Sequence, residues 1–168
     1  MILQKSEIKK LIENEQMITG YKNLDEQLQP NGFDLTLKNI SDFYGVGSIF
    51  ISTKYMPIYH ELLPDAMNTY SLYKGRTYMF SVNETVKLPL DVCALTIQRS
   101  SIMRCGLITN VGFWDSGYNG SGQSNIFVGN DFMIEKNARI IQMIFMKNIS
   151  KTEGYRGQYQ FEGIKSGE

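Results

Sequence analysis

The chain has 168 residues, 42% of them apolar and 20% charged, enough for one domain with its own core and too apolar for general disorder. Its 17 basic and 17 acidic residues cancel, which excludes a protein that coats long nucleic acid but leaves room for a small anionic ligand held by a few placed cations. No apolar run reaches the ~18 residues of a membrane span, and the start is polar from Gln4 on, unlike a signal peptide, so no membrane is expected and the cytoplasm is the expected compartment.

Residues 1–14 predict a helix, with Ser6 as its cap and Ile8, Leu11 and Ile12 sharing a face. A polar linker is expected next, ending at the turn signal Gln29-Pro30-Asn31-Gly32. Phe33, Leu35 and Leu37 alternate with Asp34 and Thr36, the pattern of a strand with one buried face. Residues 39–70 carry Gly45, Gly47, Pro57 and Pro64 and read as loops around short strands, one of them near 49–52. His60 falls in this region and is expected on the surface.

Past the turn at Lys74-Gly75 the alternation sharpens over Tyr78, Phe80 and Val82. Val86 and Leu88 lead to a turn at Leu90-Asp91, and 92–97, 108–113 and 125–128 predict further strands. Residues 138–146 are apolar on both faces apart from Gln142, as in a central strand. Glycines at 154, 157, 163 and 167 mark the tail as a mobile arm with an ordered middle over 155–162. Cys93 and Cys105 have neither metal nor disulfide spacing and are expected as buried thiols. Many short strands, one helix and no βαβ alternation predict an all-β sandwich or jelly roll, in one domain over 1–168.

The chemistry-bearing residues concentrate in 98–123, QRSSIMRCGLITNVGFWDSGYNGSGQ. Arg99 and Arg104 are permanent cations with donor forks suited to phosphate oxygens; an exposed arginine pair is the plainer reading. Arg99, Ser100 and Ser101 follow an apolar run directly, which puts them at a strand end, where hydroxyls and N–H groups can also meet a phosphate. Asp115, before Ser116-Gly117, can simply open a turn. Gln142 is the polar exception in its strand and must either tie down a loop or meet a ligand.

Taken in order, MILQKSEIKKLIENEQMI, LQPNGFDLTL, QRSSIMRCGL, GFWDSGYNG, NARIIQMIF and EGYRGQYQFEG resemble the opening, the four motifs and the C-terminal arm of the dUTPase and dCTP deaminase superfamily. The resemblance spans nearly the whole chain except 39–70. It implies a distorted jelly-roll (β-clip) fold with a short N-terminal helix, and an arm over 150–168 that closes over the site, often a neighbour's, in a homotrimer with inter-subunit sites. WDSGYNGSGQS is similar to the archaeal-type dUTPases of this branch, which implies hydrolysis of dUTP to dUMP and pyrophosphate with Mg²⁺.

The same resemblance distributes the roles. Asp115 would activate water, and Arg99, Ser100, Ser101, Arg104 and Gln142 would hold phosphates. Tyr118 would pack under the deoxyribose and leave no space for a 2′-hydroxyl, while Asn110, Gly112 and Phe127 would frame the uracil. Tyr155, Gln158 and Tyr159 would act from the arm, and Asp34 would either touch the metal through water or simply anchor its loop. Deaminases of the family carry a glutamate where Phe127 stands, three residues before Asn130, and a lysine where Gln158 stands. Phenylalanine cannot shuttle the protons of deamination, so dCTP deaminase or bifunctional activity is the second reading, and a silent nucleotide-binding relative the third.

Overall fold

The computed structural model describes residues 1–110 and 112–164. Val111, inside the strand expected over 108–113, and residues 165–168 of the expected arm lie outside the described residues.

The first helix, α1 (Lys5–Glu15), buries Ile8 and Ile12. Its cap is Gln4 and not Ser6: Gln4 is extended, and its N–H donates to Glu7 Oε2 at 3.1 Å, as in a capping box. Ahead of it Leu3 N–H donates to Phe145 O at 2.9 Å, which ties the N-terminus to the last long strand.

The expected polar linker is structured. It holds β1 (Ile18–Thr19) and α2 (Leu24–Gln27), whose first turn is capped by Asn23 Oδ1 accepting from Asp25 and Glu26 N–H. β2 (Leu28–Gln29) then turns through Pro30-Asn31 into β3 (Gly32–Tyr44), with Leu28 opposite Phe33. Residues 32–37 of β3 are buried on both faces and not on one, because Asp34 and Thr36 find polar partners inside.

Residues 39–70, expected as loops around short strands, complete β3 and return on β6 (Ile58–Glu61), with the small hairpin β4 (Ser48–Ile49) and β5 (Lys54–Tyr55) projecting between them. His60 is exposed and stacks on Tyr44. β7 (Thr69–Leu72), β8 (Thr77–Val82), β9 (Thr85–Lys87) and β10 (Val92–Gln98) follow, Tyr78, Phe80 and Val82 pointing inward. A short helix absent from the sequence reading, α3 (Ser100–Arg104), leads to β11 (Leu107–Thr109) and β12 (Gly112–Trp114). The chain ends on β13 (Asn119–Gly120), β14 (Gln123–Val128), β15 (Phe132–Glu135) and β16 (Arg139–Lys147). Cys105 is exposed at the end of α3 and Cys93 is half-buried, so neither is the interior thiol expected.

The main antiparallel sheet runs β11-β14-β8-β3-β16-β10-β12, and β1-β9-β13 form a smaller one. The core gathers Phe33, Leu35, Leu37, Phe80, Met143 and Phe145. The mainly-β architecture with short helices is the one expected. β16 is central, between β3 and β10, but only one of its faces is fully covered. On the other, Gln142, Ile144 and Met146 are half-exposed and paired in register with Ile97, Leu95 and Cys93 of β10, and Phe113 of β12 beside Leu95 is 60% exposed. The chain therefore presents a partly uncovered apolar sheet face.

Candidate functional site

Two hollows hold most of the residues singled out in the sequence. The first forms where β3, β16 and β10 run side by side, with Asp34 opposite Gln142 and Gln142 opposite Ile97. Paired residues on neighbouring strands share a face, so Asp34 and Gln142 point the same way. Arg99, one residue past β10, brings Nε to 3.0 Å from Asp34 Oδ2. Arg139 Nη1 reaches the same oxygen at 3.3 Å and donates to Glu26 O at 2.6 Å, while Arg99 Nη1 donates to Arg139 O at 3.0 Å. Asp34 thus spends its charge on two guanidiniums. Burial pushes its carboxyl up, and Arg99 and Arg139 pull against that shift.

Around this pair lies a hollow of about 420 Å³ lined by Gln29, Asp34, Gln98, Arg99, Ser100 and Gln142. Ser100 and Ser101 are exposed on the first turn of α3. Arg104, on its last turn, is exposed and outside this lining.

A second hollow, of about 170 Å³, is walled by Trp114, Tyr118, Gly122, Tyr155 and Tyr159, with Asp115 at its edge. Asp115 follows β12 and opens a turn, its carbonyl accepting Tyr118 N–H at 3.1 Å. The turn explains the backbone and leaves the side chain exposed, and no ion pair among the described residues involves it. It also lines a larger open hollow shared with Cys93 and Arg156. Tyr118 is buried, with Trp114 edge-on at 5.0 Å and Tyr155 at 5.7 Å. Burial pushes its hydroxyl far up, with Glu162 and Tyr155 adding to the shift, so the ring stays neutral.

The arm lies along this turn. Tyr155 N–H donates to Ser116 O at 2.8 Å, Gln160 Nε2 to Gly117 O at 3.0 Å, and Ser121 N–H to Glu162 O at 2.8 Å. Gly117 has φ +81°, and a Cβ on it would stand 2.8 Å from Gly154 Cα, so the arm's approach requires glycine there. Gln158 is exposed and outside both linings around Asp115.

Of the residues expected around a base, Gly112 lines the aromatic hollow and its N–H donates to Thr96 Oγ1 at 3.0 Å. Asn110 is exposed, its Nδ2 donating to Asn125 Oδ1 at 2.8 Å. Phe127 is 41% exposed beside Ile108 on the outward face of β14, outside the Asp115 hollow of the same chain. Arg139 and Glu162 were missed in the sequence, whereas Gln160 was expected in the arm. NARIIQ and QYQFEG contain them, but an arginine ahead of an apolar strand and polar residues in a glycine-rich tail are ordinary surface patterns.

One chain does not bring the two hollows together. β10 and β12 pair with Ala94 opposite Trp114, which sets Asp115 beside Cys93, six positions from Arg99. At 3.2–3.4 Å per residue that is about 20 Å along the strand, beyond the reach of one phosphate group.

Residues 2–148 match the model of the dCTP deaminase-like family. The chain is 38% identical, over 98% of its length, to the probable deoxyuridine 5′-triphosphate nucleotidohydrolase of Archaeoglobus fulgidus, of which it covers 99%. It is 36% identical, over 98% of its length, to the protein of the same name from Methanosarcina acetivorans, again covering 99%. The crystal structure of 2′-deoxycytidine 5′-triphosphate deaminase from Agrobacterium tumefaciens superposes with a TM-score of 0.68 at 20% identity over 88% of this chain. This chain spans 48% of that protein's length, and at such identity the likeness speaks for the fold alone. Sequence matches running almost from end to end, on a shared fold, lead to one statement: the chain belongs to the dCTP deaminase-like family.

Proposed function

We propose that the protein hydrolyses dUTP to dUMP and pyrophosphate, in sites shared between copies of the chain. The observation that carries this reading is Asp115, an exposed carboxylate without an ion-pair partner among the described residues, lining an aromatic hollow beside Tyr118. The names of the full-length archaeal relatives supply the substrate. Asp115 takes a proton from a water molecule whose oxygen attacks the α-phosphorus. The bond from that phosphorus to the α,β-bridging oxygen breaks, and pyrophosphate leaves. Tyr118 packs under the deoxyribose, with Trp114 and Tyr155 beside it. Arg99, Ser100 and Gln142 receive phosphate oxygens, with Ser101 and Arg104 near the mouth, and Tyr155 and Tyr159 of the arm exclude water.

The gap of about 20 Å between Asp115 and Arg99 supports a site completed by a second copy, Asp115 of one chain meeting Arg99 of the next. The half-covered face of β10, β12 and β16 is apolar enough to lie in such an interface. A homotrimer is the assembly we infer, in keeping with the family resemblance.

Among the described residues no cluster of three or more acidic, histidine or cysteine side chains could cage a metal. Asp34 fits poorly as a ligand, since two arginines already share its oxygen. Mg²⁺ would enter with the triphosphate, held by phosphate oxygens and waters, and would offset their charge.

The test is a product assay over dUTP, dCTP and dTTP with Mg²⁺, scored for pyrophosphate and ammonia. Pyrophosphate from dUTP without ammonia from dCTP is expected, because Phe127 cannot transfer protons. Ammonia from dCTP overturns the reading. In Asp115→Asn, pyrophosphate release should fall about 10²- to 10⁴-fold, and a variant that keeps full turnover removes Asp115 as the base.

A further inference from the structure

Tyr159 stands between two features of the fold that have no bond to each other in the chain's sheet network. It lines the hollow beside Tyr118 and Asp115. Its ring is also approached by Lys54, whose Nζ lies 5.8 Å from the ring centroid, within the range of a cation–π contact. Lys54 belongs to β5, in the projecting hairpin that the sequence reading left without a role. No ion pair among the described residues involves Lys54, so its ammonium is committed to no carboxylate there.

The hairpin is built as a projecting element. It leaves β3 through Gly45, which has φ +84° and open space around the position of a Cβ, and among the described residues β4 and β5 pair only with each other. Its tip is not packed into the core: Ile49, Phe50 and Ile51 are all exposed. The described contact that links this hairpin to the candidate site is therefore the one from Lys54 to the arm.

We propose that Lys54 is a positioning residue for the arm. Its ammonium against Tyr159 favours the closed arm, so that the β4–β5 hairpin and the C-terminal segment form two halves of a clasp over bound dUTP. The clasp rests on the dUTP-hydrolysis reading for its ligand, but the contact exists in the chain without one. Lys54 acts through Tyr159 and not on the reacting atoms. Its loss weakens substrate retention and leaves the chemical step unchanged, which raises KM at constant kcat. An exposed cation–π contact of this kind corresponds to a change of about two- to five-fold in the closing equilibrium.

The experiment compares wild type, Lys54→Met, Lys54→Arg, Tyr159→Leu and the Lys54→Met/Tyr159→Leu double variant, all as the full chain. Lys54→Met keeps the aliphatic stem and removes the charge. It should raise KM for dUTP about two- to five-fold with kcat unchanged, and Lys54→Arg should restore it. In the double-mutant cycle the Lys54 effect should vanish once the Tyr159 ring is gone. Additive effects, an unchanged KM, or a kcat that falls with kcat/KM overturn the proposal.

Tryptic cleavage after Arg156 in the nucleotide-free protein reads the same contact without any activity. There Lys54→Met should be cut about two- to five-fold faster than wild type, since cleavage follows the population of the open arm. Equal rates overturn the clasp. Failure of the wild type to release pyrophosphate, with the faster cleavage still seen, overturns the hydrolase reading alone.

Discussion

Asp34 Oδ2 lies 3.0 Å from Arg99 Nε and 3.3 Å from Arg139 Nη1, so one buried carboxylate orients two cations, one just past β10 and one at the start of β16. An arginine at a strand end has many rotamers. Here its guanidinium is held from beneath, with part of it still open to the hollow that contains Ser100 and Gln142. Preorganisation of this kind lowers the cost of holding a triphosphate.

Asp34→Asn should therefore act on binding through Arg99. Removing one partner of a fully buried pair costs about 3–5 kcal/mol, and the partial exposure of both arginines brings the expected stability loss down to roughly 1–3 kcal/mol. KM for dUTP should rise more than kcat falls, since Asp34 touches no reacting atom. Denaturant unfolding and steady-state kinetics on the same samples check both halves.

If Asp115 and Arg99 serve one site from two copies, two inactive proteins should rescue each other. Asp115→Asn and Arg99→Ala are each expected to lose nearly all pyrophosphate release. Co-expressed at equal levels, they should recover about a quarter of wild-type sites, because one site in four combines both native residues in a closed ring with one site per interface. The absence of recovery in mixed assemblies, verified by tagged pull-down, would place both residues in a single-chain site.

Glu84 makes stability pH-dependent. It is buried, accepts from Thr36 N–H at 2.9 Å, Thr36 Oγ1 at 2.6 Å and Gln27 Nε2 at 2.8 Å, and Gln27 in turn donates to Asp34 O at 2.8 Å. Burial raises its carboxyl above the ordinary value of 4.5, with the Thr36 and Gln27 hydrogen bonds opposing. A carboxyl raised in the folded state takes up its proton before the unfolded chain does. Its contribution to stability then grows as pH falls through the raised folded value toward 4.5 and is lost as pH rises. Glu84→Gln puts an amide donor against existing donors and should cost about 1–3 kcal/mol at neutral pH. The gap from wild type should widen as pH is lowered from neutrality toward 4.5, as chemical denaturation across that range will show.

Removal of divalent ions should stop catalysis without melting the fold. No metal-caging cluster exists among the described residues, so the midpoint of thermal unfolding should stay put in EDTA while pyrophosphate release from dUTP falls to background. A shift of several degrees on chelation would mean a structural metal.

The sequence by itself determined what depends on neighbours along the chain. The alternation at Tyr78, Phe80 and Val82, the Pro30-Asn31 turn and the central apolar run over 138–146 were all legible, because strand periodicity and turn chemistry are local. So was the ordered motif set that led to the family, since spacing between motifs survives even though 39–70 carries none of them. Only the tertiary structure decided which side chains meet. Asp34 could be read as touching a metal's water shell or as anchoring its loop, and it proved to be the buried partner of Arg99 and Arg139, which lie 65 and 105 positions along the chain. The β10–β12 register separated Asp115 from Arg99, though only sixteen positions divide them in sequence. The physical reason is the same in both cases: pairing register and burial are set by contacts between distant segments, and a linear pattern carries the period of a strand but not the identity of its neighbour.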